Sequence, residues 1–140
     1  MNPTKRVETP YDSKVLEVLR EFKAMKPWKG TVGERIDKFT WLHRELCKIF
    51  GKRVHLAFDI PADIKDWYSS GGSYYIRGTN GREWIVLRGK LSVITFLHEW
   101  GHALDMDQWE AQEWAISIFR QVFPEQYKKL KNVGGMMVIE

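Results

Sequence analysis

Leu91-Ser92-Val93-Ile94-Thr95-Phe96-Leu97-His98-Glu99-Trp100-Gly101-His102-Ala103-Leu104 is the stretch on which the reading of this chain turns. Val93, Ile94, Phe96, Leu97, Trp100 and Leu104 fall on most sides of a 3.6-residue period. The pattern predicts a helix over 91–104 that is buried nearly all round. Its few polar residues then need a reason. His98 and His102 stand four apart, so they share one face and both imidazoles can point at a single metal ion. Glu99 is turned about 100° from His98 around the axis. From there it can stay out of the ligand set, act as general base toward a zinc-activated water, and later pass the proton to a leaving amine. Gly101, which costs the helix about 1 kcal/mol in propensity, leaves room for another backbone or a substrate to approach.

A catalytic zinc site usually has three protein ligands and one open position. No histidine follows His102, so the third ligand is expected to be a carboxylate, and the candidates are Asp105, Asp107, Glu110 and Glu113. Asp105, one turn beyond His102, lies too nearly in line with the histidines to close a tetrahedron comfortably. Asp107 reads as the N-cap of a helix over 108–122 that stops before Pro124. On that helix Ala111, Trp114, Ala115, Ile118 and Val122 form the apolar face. Glu110 falls beside Trp114 on the inner side and is the first choice, and Glu113, nearer solvent, is the second.

Working outward, residues 73–77 and 82–88 are β-rich runs on either side of Gly78-Thr79-Asn80-Gly81, a hairpin signal. Alternation over 53–60 puts Val54, Leu56 and Phe58 on one strand face, and 63–70 reads as a short helix or turn. Glu83 to Leu87, just before the metal helix, is a candidate edge for an extended substrate, and Tyr74 or Tyr75 a candidate oxyanion donor. Two helices come first. One spans 10–25 with Thr9 as N-cap and Val15, Leu19, Phe22 and Met25 inward. The other begins with the capping-box pair Thr31 and Glu34, buries Ile36, Phe39, Leu42, Leu46 and Ile49, and ends at Gly51. His43 reads as a surface residue, and His55 points away from its strand's core face.

The whole chain is consistent with one domain over 1–140. Hydrophobic residues at 44% and charged residues at 29% make an ordinary globular balance. Cys47, the lone cysteine, excludes an internal disulfide and a cysteine zinc cage. No apolar run approaches the roughly 20 residues of a membrane span, and the first ten residues do not read as a signal peptide. A cytoplasmic location without membrane partners is the expectation. Residues 1–53 carry 13 Lys/Arg against 7 Asp/Glu, whereas 98–127 carry one Arg against six acids. The acidic stretch suits a divalent cation. The basic half suggests a second reading, a metal-stabilised binding module contacting nucleic acid or protein, although solvated helix faces explain such charge more simply. The tail over 132–140 reads as a hinge and a short apolar run, frayed or lying in the cleft as an inhibitor.

The helix motif and Glu110-Ala111-Gln112-Glu113-Trp114-Ala115 together resemble the gluzincin metallopeptidases. The second string is similar to the E-A-N-x-F-A helix of the ImmA/IrrE-like peptidases, with Gln for Asn and Trp for Phe. The small size is similar to that of the minigluzincins. The resemblance covers roughly residues 71–124. It implies an α+β, zincin-like fold with N-terminal helices, a small and mainly antiparallel twisted sheet, a metal helix and a glutamate helix. It implies a zinc-dependent peptidase acting on peptide or protein substrate, with Glu99 catalytic and His98, His102 and Glu110 binding Zn2+. Only seven residues separate His102 from Glu110, which requires a tight turn over 105–107.

Overall fold

The protein is described from a computed structural model over residues 7–59, 72–89, 91–133 and 136–139, with backbone only from 130 onward. The architecture is α+β. Its elements in chain order are α1 (Asp12–Ala24), α2 (Val32–Phe50), β1 (Val54–Asp59), β2 (Tyr74–Arg77), β3 (Glu83–Arg88), α3 (Val93–Ala103), α4 (Gln108–Val122), α5 (Pro124–Lys128), β4 (Leu130–Val133) and β5 (Met136–Ile139). None of the described helices is long and apolar enough to cross a membrane.

Helix α1 starts two residues later than its sequence suggests. Thr9 does not cap a helix at residue 10. Its backbone N–H and hydroxyl instead donate to the Asp12 carboxylate at 3.0 and 2.6 Å. The same carboxylate accepts from Trp114 Nε1 at 2.9 Å, which fastens α1 to α4. Lys23 adds a second tie by donating to the Val122 carbonyl at 2.9 Å. Helix α2 has both halves of the expected capping box, Thr31 with Glu34, and closes on Gly51 in the left-handed region at φ 62°.

The sheet order is β1-β3-β2. Tyr74–Arg77 pairs antiparallel with β3 across the Gly78–Arg82 turn, where Gly81 sits at φ 80°. Strand β1 pairs parallel with β3, from Val54 opposite Glu83 to Asp59 opposite Arg88. The sheet is therefore mixed rather than mainly antiparallel. Alternation in a strand reports which face is buried, not which neighbour it joins. A second correction follows, because β3 is paired on both sides and cannot serve as a substrate-binding edge. Residues 60–71, including the segment read as a short helix or turn, lie outside the described residues. The tail is not simply frayed, since β4 and β5 form an antiparallel pair with Leu130 opposite Ile139. Side chains that would bear on an inhibitory role lie outside the described residues.

One core runs through the helices and the inner sheet face, with Phe22, Phe39, Leu46, Ile85, Phe96, Trp100 and Trp114 fully buried. His43 is part of it, at 5% exposure, and not on the surface. Its Nδ1 accepts from Trp100 Nε1 at 3.2 Å, so Nε2 carries the proton and donates to the Val54 carbonyl. One imidazole thus pins α2, β1 and α3 together. Burial holds His43 below its ordinary value of 6.5, with His55 acting in the same direction and the Val54 bond against it. As pH falls the unfolded chain takes up this proton first. The contribution is therefore intact above about pH 6.5 and lost as pH falls through the folded-state value. His43→Leu would orphan the Trp100 N–H and the Val54 carbonyl, at a cost on the order of 2 kcal/mol. Urea midpoints at pH 7.5 and 5.5 check both points. The variant should be less stable at the higher pH and should lose less than the parent on acidification.

Candidate active site

The site is built by the turn from α3 to α4. After Ala103 the Asp105 N–H donates to the His102 carbonyl and the Met106 N–H to the Gly101 carbonyl, each at 3.0 Å. This is a Schellman closure, with Asp105 at φ 65° where glycine is usual. The turn carries the Met106 carbonyl back to His102, whose Nδ1 lies 3.1 Å from it. A carbonyl can only accept, so Nδ1 holds the proton and, in the neutral ring, Nε2 presents its lone pair. Metal-binding histidines are commonly oriented by such a bond. Asp107 then caps α4, which begins at the expected residue.

His98 and His102 face the same way, with their Nε2 atoms 3.1 Å apart. Gln108 Oε1 lies 3.1 Å from the first and 3.0 Å from the second. Together they line a cleft of about 710 Å³ whose walls include Ser73 and Tyr75 beside the sheet and Trp109 and Gln112 on α4. Burial holds His98 below its ordinary value and His102 adds to this, while bonds to Gln108 and Gln112 oppose it. A neutral imidazole is the form that binds metal. Its Nδ1 is buried without a hydrogen-bond partner among the described residues.

Glu99 lines the same cleft and is only 6% exposed. Burial pushes its carboxyl up to about 7, with His102 and the backbone of Tyr75 pulling it partly back. A carboxyl balanced near neutrality can both take and return a proton at working pH, as a general base must.

The expected third ligand is placed elsewhere. Glu110 belongs to a capping box: its Oε1 accepts from the Asp107 N–H at 3.0 Å, and its own N–H donates to Asp107 Oδ1 at 2.7 Å. It lines a separate depression with Pro10, Tyr11, Phe50 and Met106. The sequence held the signal for this, since D-x-x-E at 107–110 is a variant of the pattern read at Thr31 and Glu34. Glu113 is exposed, and Asp105 pairs with Arg77 at 3.3 Å. Among the described residues no three His, Cys, Asp or Glu side chains gather as a metal site. The two imidazoles still fit zinc by type, mutual orientation and the fixed His102 tautomer.

Other expectations resolve individually. The Tyr75 hydroxyl donates to Glu83 at 2.5 Å, and burial followed by Glu83 pushes it up to about 12, so it is engaged away from acid–base work near neutrality. Burial alone would raise Glu83, yet bonds from Tyr75, Lys52 and Arg77 hold its carboxyl below the ordinary value. Lys52 also donates to the Ala103 carbonyl at 2.6 Å, a cation at the C-terminus of α3. Tyr74 is exposed, and His55 stacks on Trp84 at 4.6 Å.

No family model, curated protein or solved structure matches this chain. The resemblance to gluzincins rests on the two sequence motifs, and the glutamate of the second lies outside the cleft.

Proposed function

We propose that the protein is a zinc-dependent peptidase of zincin-like build, with His98 and His102 holding the ion and Glu99 as general base. The observation that carries this reading is the pair of Nε2 atoms 3.1 Å apart in the cleft that a buried, proton-competent Glu99 also lines. Zinc bound there would supply Lewis acidity to a peptide carbonyl and to the attacking water. Glu99 takes the proton of that water and delivers it to the leaving amine nitrogen, so one carboxyl serves both halves of the reaction. Among the described residues strand β2 is the outer strand of the sheet, and Tyr75 on it borders the cleft. An extended peptide pairing with its outer edge would lie beside Glu99, whose carboxyl the Tyr75 backbone already approaches.

Elemental analysis of protein purified without added metal, alongside hydrolysis of quenched fluorescent peptides, tests the reading. The expected result is about one zinc per chain, as for other catalytic zinc sites, and cleavage that chelator removes and zinc restores. His98→Ala should lose both. A protein that neither retains zinc nor takes it up on titration would retire the proposal.

A further inference from the structure

The two histidines leave a ligand position to fill, and the geometry points to Gln108 rather than Glu110. Resting on the metal reading above, we propose that the amide oxygen of Gln108 is the third protein ligand, giving an uncharged donor set of two imidazoles and one amide. Gln108 Oε1 and the two Nε2 atoms form a triangle with sides of 3.0, 3.1 and 3.1 Å. Donors about 2.1 Å from a shared tetrahedral zinc stand roughly 3.4 Å apart. The triangle therefore reaches ligand geometry by opening a few tenths of an ångström per side, within the freedom of an exposed glutamine side chain.

Proton accounting supports the assignment. The His102 ring proton is committed to the Met106 carbonyl, so in the neutral ring its Nε2 offers a lone pair toward Gln108 Oε1, which also offers lone pairs. Two acceptors 3.0 Å apart repel unless something positive lies between them. A shared cation satisfies all three atoms at once. Without a metal the same contacts need a proton on a ring Nε2, or an amide turned over so that its NH2 donates to the rings.

Position favours the same residue. Gln108 opens α4, immediately after the closure that fixes His102, so the backbone that orients one ligand delivers the next. Glu110, two residues on, is committed to Asp107 and faces the other depression. An uncharged donor set should bind zinc less tightly than one containing a carboxylate, and Gln108→Glu should therefore strengthen binding.

Zinc affinity measured by competition with a chromophoric chelator, and the visible spectrum of the cobalt-substituted protein, provide the test. Gln108→Ala should lower zinc affinity at least tenfold and change the cobalt bands, while its melting temperature in chelator matches the parent. Glu110→Gln, which keeps a side chain able to complete the capping box, should leave affinity and spectrum unchanged. The proposal is overturned if Gln108→Ala keeps the parental cobalt spectrum, as a merely hydrogen-bonding amide would. It is equally overturned if Glu110→Gln is the variant that loses zinc. Failure of the metal reading itself looks different: the parent then binds no zinc, and His98→Ala is indistinguishable from it.

Discussion

Glu99→Gln is expected to lower peptide hydrolysis by about 10²–10⁴-fold, the range for losing a general base, while zinc content stays at the parental level. Glutamine is nearly isosteric and cannot accept the water proton. The same substitution should stabilise the metal-free protein at neutral and higher pH. The Glu99 carboxyl sits near 7 in the folded state against 4.5 for the ordinary group. Between those limits the folded chain holds a proton that the unfolded chain has released, so this group's contribution to stability falls as pH rises from 4.5 to 7. Above pH 7 the variant avoids a cost on the order of 2 kcal/mol. Urea titrations in chelator at pH 5 and pH 8 read this directly. The two proteins should nearly coincide at the lower pH and separate at the higher. A parent as stable as the variant at pH 8 would show that Glu99 ionises there without penalty.

Gly101→Ala sets two effects of opposite sign against each other. Helix propensity favours alanine by up to about 1 kcal/mol. A Cβ at this position, however, would stand 2.8 Å from the Ala111 Cβ and 2.9 Å from its Cα, with Met106 Sδ at 3.3 Å. The first two atoms cannot swing aside as the end of a long side chain can, so α3 and α4 must part. Overpacking of this kind costs roughly 1–3 kcal/mol and sometimes more, and the steric effect wins. The expected result is a lower urea midpoint together with weaker zinc binding, because His102 and Gln108 lie on the two helices being separated. A variant as stable as the parent would mean that the helices are not in van der Waals contact there. The sequence offered a neighbouring backbone or a substrate as the reason for this glycine, and the neighbour is the backbone of α4.

Much of this arrangement was legible in advance. The capping box of α2, the left-handed Gly51, the Asn-Gly turn and the bounds of α4 are local signals, and local hydrogen bonding honours them. The convergence of His98, Glu99 and His102 follows from helix period alone. What could not be read depended on partners distant in sequence. The parallel pairing of β1 with β3 is set by how the chain returns between them, which alternation does not encode. His43 sat outside the apolar stripe, and only the Trp100 indole and the Val54 carbonyl explain its burial. Glu110 carried two valid local meanings, ligand and cap, and the structure expresses the second. Gln108 reaches the two imidazoles through the turn over 105–107, a placement that its residue type does not signal in the sequence.

The ties from α1 to α4 bear on when the cleft is assembled during synthesis. Asp12 is bonded to Trp114 and Lys23 to Val122, separations of 102 and 99 residues. Contacts this distant close late, because the intervening chain must first be ordered. On a ribosome, α1 and α2 emerge early and can pack together, but α4 has to clear the exit tunnel before α1 can be fastened to it. The Gly101–Ala111 contact and the placement of Gln108 wait on the same event. A chain ordered only through α3 therefore carries His98 and His102 without the support that aligns them, and the cleft is completed only once α4 docks.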